Sequence, residues 1–227
     1  MSELKHIEQL NLVDLLKEIA GKYGVNAVFS TSLSWEDQII THHIFSLNLP
    51  IRIFTLDTGR LFPETYSLLN STRERYHKEI EVYFPNHVNL QEMLTQKGPI
   101  SFYETIENRK ECCFLRKVEP LNRALEGVDC WITGLRSEHS ENRKELPISE
   151  WDEQRKLYKV NPLSNWTLTE VKKEIEKYNI PYNVLHDKGF VSIGCQPCTR
   201  AIKEGEDFRA GRWWWESNDK KECGLHN

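Results

Sequence analysis

An α/β fold, with a mostly parallel sheet covered by helices and a C-terminal tail, is predicted by three observations. Short apolar runs alternate with segments of helical spacing. The runs are four to six residues long and bounded by turn residues, as strands are. Several end in polar loops, Ser30-Thr31-Ser32 and Asp57-Thr58-Gly59 among them, and open α/β sheets bind ligands at the carboxyl ends of strands.

Leu4, Ile7, Leu10, Val13, Leu16 and Ile19 recur at helical spacing and predict one helix over 3–22, closed near Gly21. Residues 26–30 predict a buried strand, 36–47 a helix, and 51–56 a second strand. A helix over 61–78, a strand at 80–84, helical segments from about 90 to 126 and a strand at 130–133 follow. Residues 157–160 read as an edge strand, and 167–178 as a helix capped by Thr167. From Glu204 the pattern changes: glycines and acidic residues replace the periodicity. The expected organisation is therefore a nucleotide-binding and metal-binding α/β domain over 1–203 and a mobile tail over 204–227.

A chain of 227 residues buries a core of its own. Its 30 basic and 34 acidic residues give a net charge of −4, so no global basic field attracts nucleic acid. No apolar stretch reaches membrane-spanning length, and the N-terminal residues lack the pattern of a secretory signal. A cytoplasmic location is expected. Six cysteines are too few for a disulfide scaffold in a chain this long, and their clustering points to metal or redox chemistry.

Cys112 and Cys113 are adjacent, and Cys195-Gln196-Pro197-Cys198 is a C-x-x-C pair. Four thiolates from two loci suit a zinc ion or a cubane iron–sulfur cluster. Neighbouring helical cysteines diverge by about 100°, which favours the larger centre. Cys130, inside a strand, reads as a buried small hydrophobe. Lys117 follows Cys113 by one helical turn, and Arg116 follows Cys112 in the same way, so both cations would stand beside the metal and any anion that approaches it.

Three segments around these cysteines, Glu111–Lys117, Ser192–Thr199 and Glu222–His226, resemble the assimilatory adenylyl-sulfate reductases, the iron–sulfur branch of the sulfonucleotide reductases. So do Thr55–Arg60, Trp131–Arg136 and Gly211–Glu216, and the likeness runs from about Phe29 to the C-terminus. The resemblance implies an adenine nucleotide α-hydrolase-like fold, a 4Fe–4S cluster on Cys112, Cys113, Cys195 and Cys198, and a nucleophile at Cys223. It implies reduction of adenosine 5′-phosphosulfate (APS) to sulfite and AMP in sulfate assimilation and cysteine biosynthesis. The route passes through an S-sulfocysteine on Cys223 that thioredoxin or a similar dithiol resolves. The 3′-phosphorylated nucleotide, PAPS, stays open as a second substrate.

By motif position and chemistry, Lys117 is the expected catalytic cation, and Ser30, Ser32, Arg116, Gly134, Arg136, Arg209, Arg212, Trp213 and His226 are the expected substrate-binding residues. Arg209 and Arg212 stand three apart, so one helical turn would aim both at an anion; Lys220 and Lys221 beside Cys223 favour its thiolate. The loop Ser30–Asp37 departs from the glycine-rich S-G-G-x-D-S loop of relatives that cleave ATP, which argues against pyrophosphatase chemistry. An ATP-using nucleotidyl hydrolase of the same fold, a zinc-stabilised binding module and an iron–sulfur regulator are the rival readings.

Overall fold

The computed structural model describes residues 5–139, 146–216 and 224–225. The strands are β1 (Ala27–Thr31), β2 (Arg52–Leu56), β3 (Glu81–Tyr83), β4 (Cys130–Ile132), β5 (Ser149–Asp152) and β6 (Leu157–Val160), in the sheet order β3-β2-β1-β4-β6-β5. β1 pairs in parallel with β2 and β4, β4 pairs in parallel with β6, and β5 runs antiparallel to its neighbour β6. The predicted α/β fold is thus the observed one.

The chain divides into two compact units. The first comprises residues 1–55, 63–81 and 127–184. Its helices are α1 (Leu12–Tyr23), α2 (Trp35–Ser46), α3 (Pro63–Tyr76) and α7 (Leu168–Lys177). Ile39, Ile40 and Ile44 of α2 pack with Leu15, Leu16 and Ile19 of α1, with Phe29 and Ile132 of the strands, and with Val171 and Ile175 of α7. Helix α2 is buried on all sides from Trp35 to Phe45, so its polar residues need partners within the fold. Gln38 Nε2 donates to Thr72 Oγ1 and the Pro181 carbonyl, and His43 Nε2 lies 3.2 Å from Glu174 Oε1.

The second unit comprises residues 56–62, 82–126 and 185–227. It holds α4 (His87–Lys97), α5 (Ile106–Cys113) and α6 (Glu119–Ala124). Between α5 and α6, residues Phe114–Val118 form a π-helical turn.

Three expectations change. The N-terminal helix is broken: Lys5–Gln9 is a 3-10 turn and α1 begins afresh at Leu12, because the Asn11 side chain accepts from the Asp14 amide and caps it. Residues 90–126 are several pieces, interrupted by Gly98 and by a fresh cap at Thr105. β6 is an interior strand, and the unpredicted β5 is the edge. Lys159 is tolerated inside the sheet because Glu150 stands directly opposite on β5, with Nζ 2.9 Å from its carboxylate, and because Nζ lies 5.8 Å from the centre of the Trp131 ring.

Candidate functional site

In the first unit the candidate residues follow β1 and β4. After β1 the loop contains no glycine, yet Leu33 takes the left-handed backbone region at φ 62°, a conformation that costs a side-chain-bearing residue energy. Asp37, in the first turn of α2, holds the loop in this shape. Its Oδ2 accepts from the Ser32 amide at 2.6 Å and the Ser32 hydroxyl at 2.7 Å. The β4 loop comes to the same point: a Cβ on Gly134 would lie 1.9 Å from Asp37 Oδ1, so only glycine fits there. Ser30 Oγ accepts from the Trp131 indole at 2.8 Å, which leaves its own proton to donate. Arg136 is buried, and its guanidinium donates to Glu36 (2.7 Å), Glu138 (2.6 Å) and the Trp166 carbonyl (3.0 Å).

Burial pushes the Asp37 carboxyl up to about 6, against the Ser32 hydrogen bonds, with neighbouring Glu36 adding to the rise. The folded value therefore lies above the unfolded one, and the unfolded chain binds fewer protons between about pH 4 and pH 6. Ionising Asp37 costs stability as pH rises through that window, by about 2–3 kcal/mol. Asp37→Asn, which stays neutral, should gain on the parent by this amount between pH 4 and pH 6 and run parallel to it above. Urea unfolding at successive pH values measures the difference; parallel curves throughout would mean that Asp37 ionises at an ordinary carboxylate value.

In the second unit Cys112, Cys113, Cys195 and Cys198 lie in one buried cluster with Met93, Phe102 and Trp213. Their thiols feel one another. Burial pushes Cys198 up to about 12, helped by Cys195 and Cys113, and burial also pushes Cys112 up, with Cys195 adding. Burial acts on Cys195 too, but Lys117, the Thr58 hydroxyl, Arg212 and Arg116 outweigh it and hold this thiol below its ordinary value. Cys195 Sγ lies 3.2 Å from Thr58 Oγ1.

Local structure explains the convergence. Cys113 closes α5, and the π turn that follows carries Arg116 and Lys117. Such turns recur at functional sites because the wider turn redirects side chains. The regular α-helix expected beneath Lys117 is thereby corrected. Arg116 bonds the Thr58 carbonyl and contacts Cys112, whereas the charge of Lys117 acts on Cys195 and Cys198. The other pair sits on the 3-10 turn Gln196–Cys198, held by Gln196 N donating to the Arg60 carbonyl at 2.7 Å.

Trp213, 1% exposed and at a left-handed φ of 41°, stands beside the cysteines. The guanidinium carbons of Arg109, Arg212 and Arg209 lie 4.7, 4.8 and 5.8 Å from its ring centre. Arg212 presses on a backbone that has no side chain: a Cβ on Gly194 would lie 2.3 Å from its Nη2. Arg60 Nη1, Arg116 Nε, Arg212 Nε and Trp213 Nε1 are buried with no hydrogen-bond acceptor among the described residues. Buried donors of this kind call for a hydrogen-bond acceptor, which for the guanidinium groups an anion suits.

Residues 26–201 match the phosphoadenosine phosphosulfate reductase domain. The chain belongs to that family. An adenosine 5′-phosphosulfate reductase of Burkholderia cepacia is 49% identical over 94% of this chain and 86% of its own length. One from Rhizobium meliloti is 49% identical over 97% and 83%. The crystal structure of a PAPS reductase from Candida auris, a phosphate complex, has a TM-score of 0.75 at 29% identity and covers 89% of this chain and 98% of that one. Yeast FAD synthetase, with a TM-score of 0.58 at 16% identity over 88% and 67%, shares the fold alone.

Within this family frame, Ser30, Ser32, Gly134 and Arg136 fall in the first unit, and the four cysteines, Arg116, Lys117, Arg209, Arg212 and Trp213 in the second. Cys223 and His226, with Lys220 and Lys221, lie outside the described residues. Cys130 is fully buried in β4, as expected of a core cysteine. Sequence reading missed Asp37, Thr58, Arg60 and the ion pair of Arg109 with Glu216. Thr58, Arg60 and Glu216 belong to the matching motifs, and Arg109 stands one helical turn before Cys113, the relation that singled out Arg116.

Proposed function

We propose that the protein reduces adenosine 5′-phosphosulfate to sulfite and AMP through an S-sulfocysteine on Cys223, resolved by thioredoxin or a similar dithiol, in sulfate assimilation and cysteine biosynthesis. One observation carries the reading: four buried thiols share their surroundings with Arg60, Arg116, Lys117 and Arg212, several of whose donors have no described acceptor. The relatives named as APS reductases support it.

The donor set fits a 4Fe–4S cluster on Cys112, Cys113, Cys195 and Cys198. Thiolates from two turns are the ligands that such a cluster takes, and the surrounding cations suit its negative charge. Bound there, the cluster would supply a fixed anionic centre beside the side-chain cations that meet the substrate. The reducing equivalents come from the dithiol.

In the first step the Cys223 thiolate attacks the sulfonyl sulfur, the sulfur–oxygen bond to the phosphate breaks, and AMP leaves with the electron pair. In the second, a partner thiolate attacks the Cys223 sulfur; sulfite departs and the mixed disulfide is resolved by the partner's second thiol. Lys117, Arg209 and Arg212 offset the charge that develops on the sulfonate and the phosphate, while Arg116 supports the cysteine pair and Trp213, buried between Arg109 and Arg212, orients their guanidinium groups instead of packing on the substrate. Ser30 donates its free hydroxyl proton. Ser32, Asp37 and Gly134 shape the loop, and Arg136, neutralised by Glu36 and Glu138, holds the start of α2. His226 positions the tail. Free thiols and a dithiol reductant suit the reducing cytoplasm, and no helix among the described residues is long and apolar enough to cross a membrane.

Sulfite release from APS and from PAPS, assayed side by side with thioredoxin, tests the reading. Release from APS is expected, and none from either nucleotide would sink it. Lys117→Ala should lose about 10²–10³-fold in kcat/KM while keeping its iron, because a cation is removed and no ligand is. Activity equal to the parent's would make Lys117 a solvated surface lysine.

A further inference from the structure

Arg109 has no part in the steps above, yet it is fully buried, and its side chain is tied to Glu216 in the C-terminal tail. Nε donates to Glu216 Oε1 at 2.9 Å and Nη2 to Oε2 at 2.8 Å, a two-point clamp whose side chains are 1% and 4% exposed. The Arg109 side chain also contacts the Cys113 thiol. Its guanidinium also stacks on Trp213, 4.7 Å from the ring centre.

Backbone bonds complete the clasp. Glu216 N donates to the Trp213 carbonyl at 2.9 Å, and Trp213 N donates to the Cys198 carbonyl at 3.2 Å. The turn Trp213–Glu216 is therefore held at both cysteine loci, at Cys198 through its backbone and at Cys113 through Arg109. Cys223 follows Glu216 in the chain, so this turn is the root from which the nucleophile departs.

We propose that Arg109 and Glu216 form a positioning pair that registers the Cys223-bearing segment against the metal-binding cysteines. The inference rests on the reading of Cys223 as the nucleophile. A buried ion pair adds little net stability over an apolar pair of similar size, so fold stability alone does not require it. The guanidinium fork fixes direction and distance in a way that a point charge does not. A small misplacement of a reacting group lowers a rate steeply.

The double variant Arg109→Met/Glu216→Leu, which removes both charges together, should fold and keep the parent's iron and sulfide. In single turnover without thiol, S-sulfonation of Cys223, read by mass, should slow roughly ten- to hundredfold. Alkylation of Cys223 by iodoacetamide without nucleotide should be measurably faster, since its root is no longer clamped. Arg109→Lys keeps the charge and loses the fork, and should slow S-sulfonation as well. Parental S-sulfonation in either variant overturns the proposal, and so does loss of iron in the double variant, which would place the pair's action at the metal site. If the parent forms no adduct on Cys223, the functional reading fails instead, and the alkylation rates still judge the pair: an unchanged rate overturns it.

Discussion

Cys223→Ser should be inert. Mixed with APS and no thiol, the parent should gain the mass of one sulfonate on the peptide that carries Glu222-Cys223-Gly224 and release one AMP. Added thioredoxin should discharge that mass as sulfite. The serine variant should bind APS and retain its iron, yet form no adduct, because a hydroxyl at neutral pH lacks the nucleophilicity of a thiolate. Turnover should fall by at least about three orders of magnitude, as when a covalent nucleophile is removed elsewhere. The loss belongs to this residue: Cys130 is buried in the sheet, where burial pushes its thiol up to about 12, and the other four cysteines share one buried cluster. An adduct on any of those five, or full turnover by the variant, would overturn the mechanism.

Cys195→Ser should empty the metal site. Cys195 is the thiol that Lys117, Thr58, Arg212 and Arg116 together hold below its ordinary value, so it is the one best prepared to ligate as thiolate. Iron should fall from about four per chain to less than about one, and the brown colour and acid-labile sulfide should go with it. The buried guanidinium groups of Arg116 and Arg212 would then lose an anionic partner, which should destabilise the fold by about 3–5 kcal/mol. Iron and sulfide analysis alongside thermal unfolding measures both effects. Cys130→Ala is the control and should keep its iron. Stoichiometric zinc without sulfide in anaerobically purified parent would sink the assignment, as would full iron in Cys195→Ser.

Most strands and helices were legible because their signals are local. Five strands fell within a residue or two of their observed bounds, since short apolar runs between turns carry their own pattern. β5 escaped, because Ser149–Asp152 has no such pattern and is a strand only through its partner. The position of β6 was misread for the same reason: nothing within Leu157–Val160 announces the strand that pairs beyond it.

Side-chain chemistry is likewise a local property. The pairing of Cys112 with Cys113 and of Cys195 with Cys198, and the cations beside them, pointed to metal chemistry from the sequence by itself. The absence of glycine from the first loop argued against pyrophosphatase chemistry in the same way. How each charge is balanced is decided by approach in space, between residues far apart in the chain. Arg136 and Arg212 look alike in sequence, yet Arg136 meets Glu36 and Glu138, whereas Arg212 lies against Gly194 with Nε lacking a described acceptor. The same holds for Ser32, which Asp37 engages, and for Glu216, which reaches Arg109 only because Trp213 turns through a left-handed backbone beside Cys198. Composition and spacing thus determined which groups are present and which chemistry they suit. Only the tertiary structure decided which remain available for it, because a buried charge is set by the partners that the fold brings within hydrogen-bonding distance.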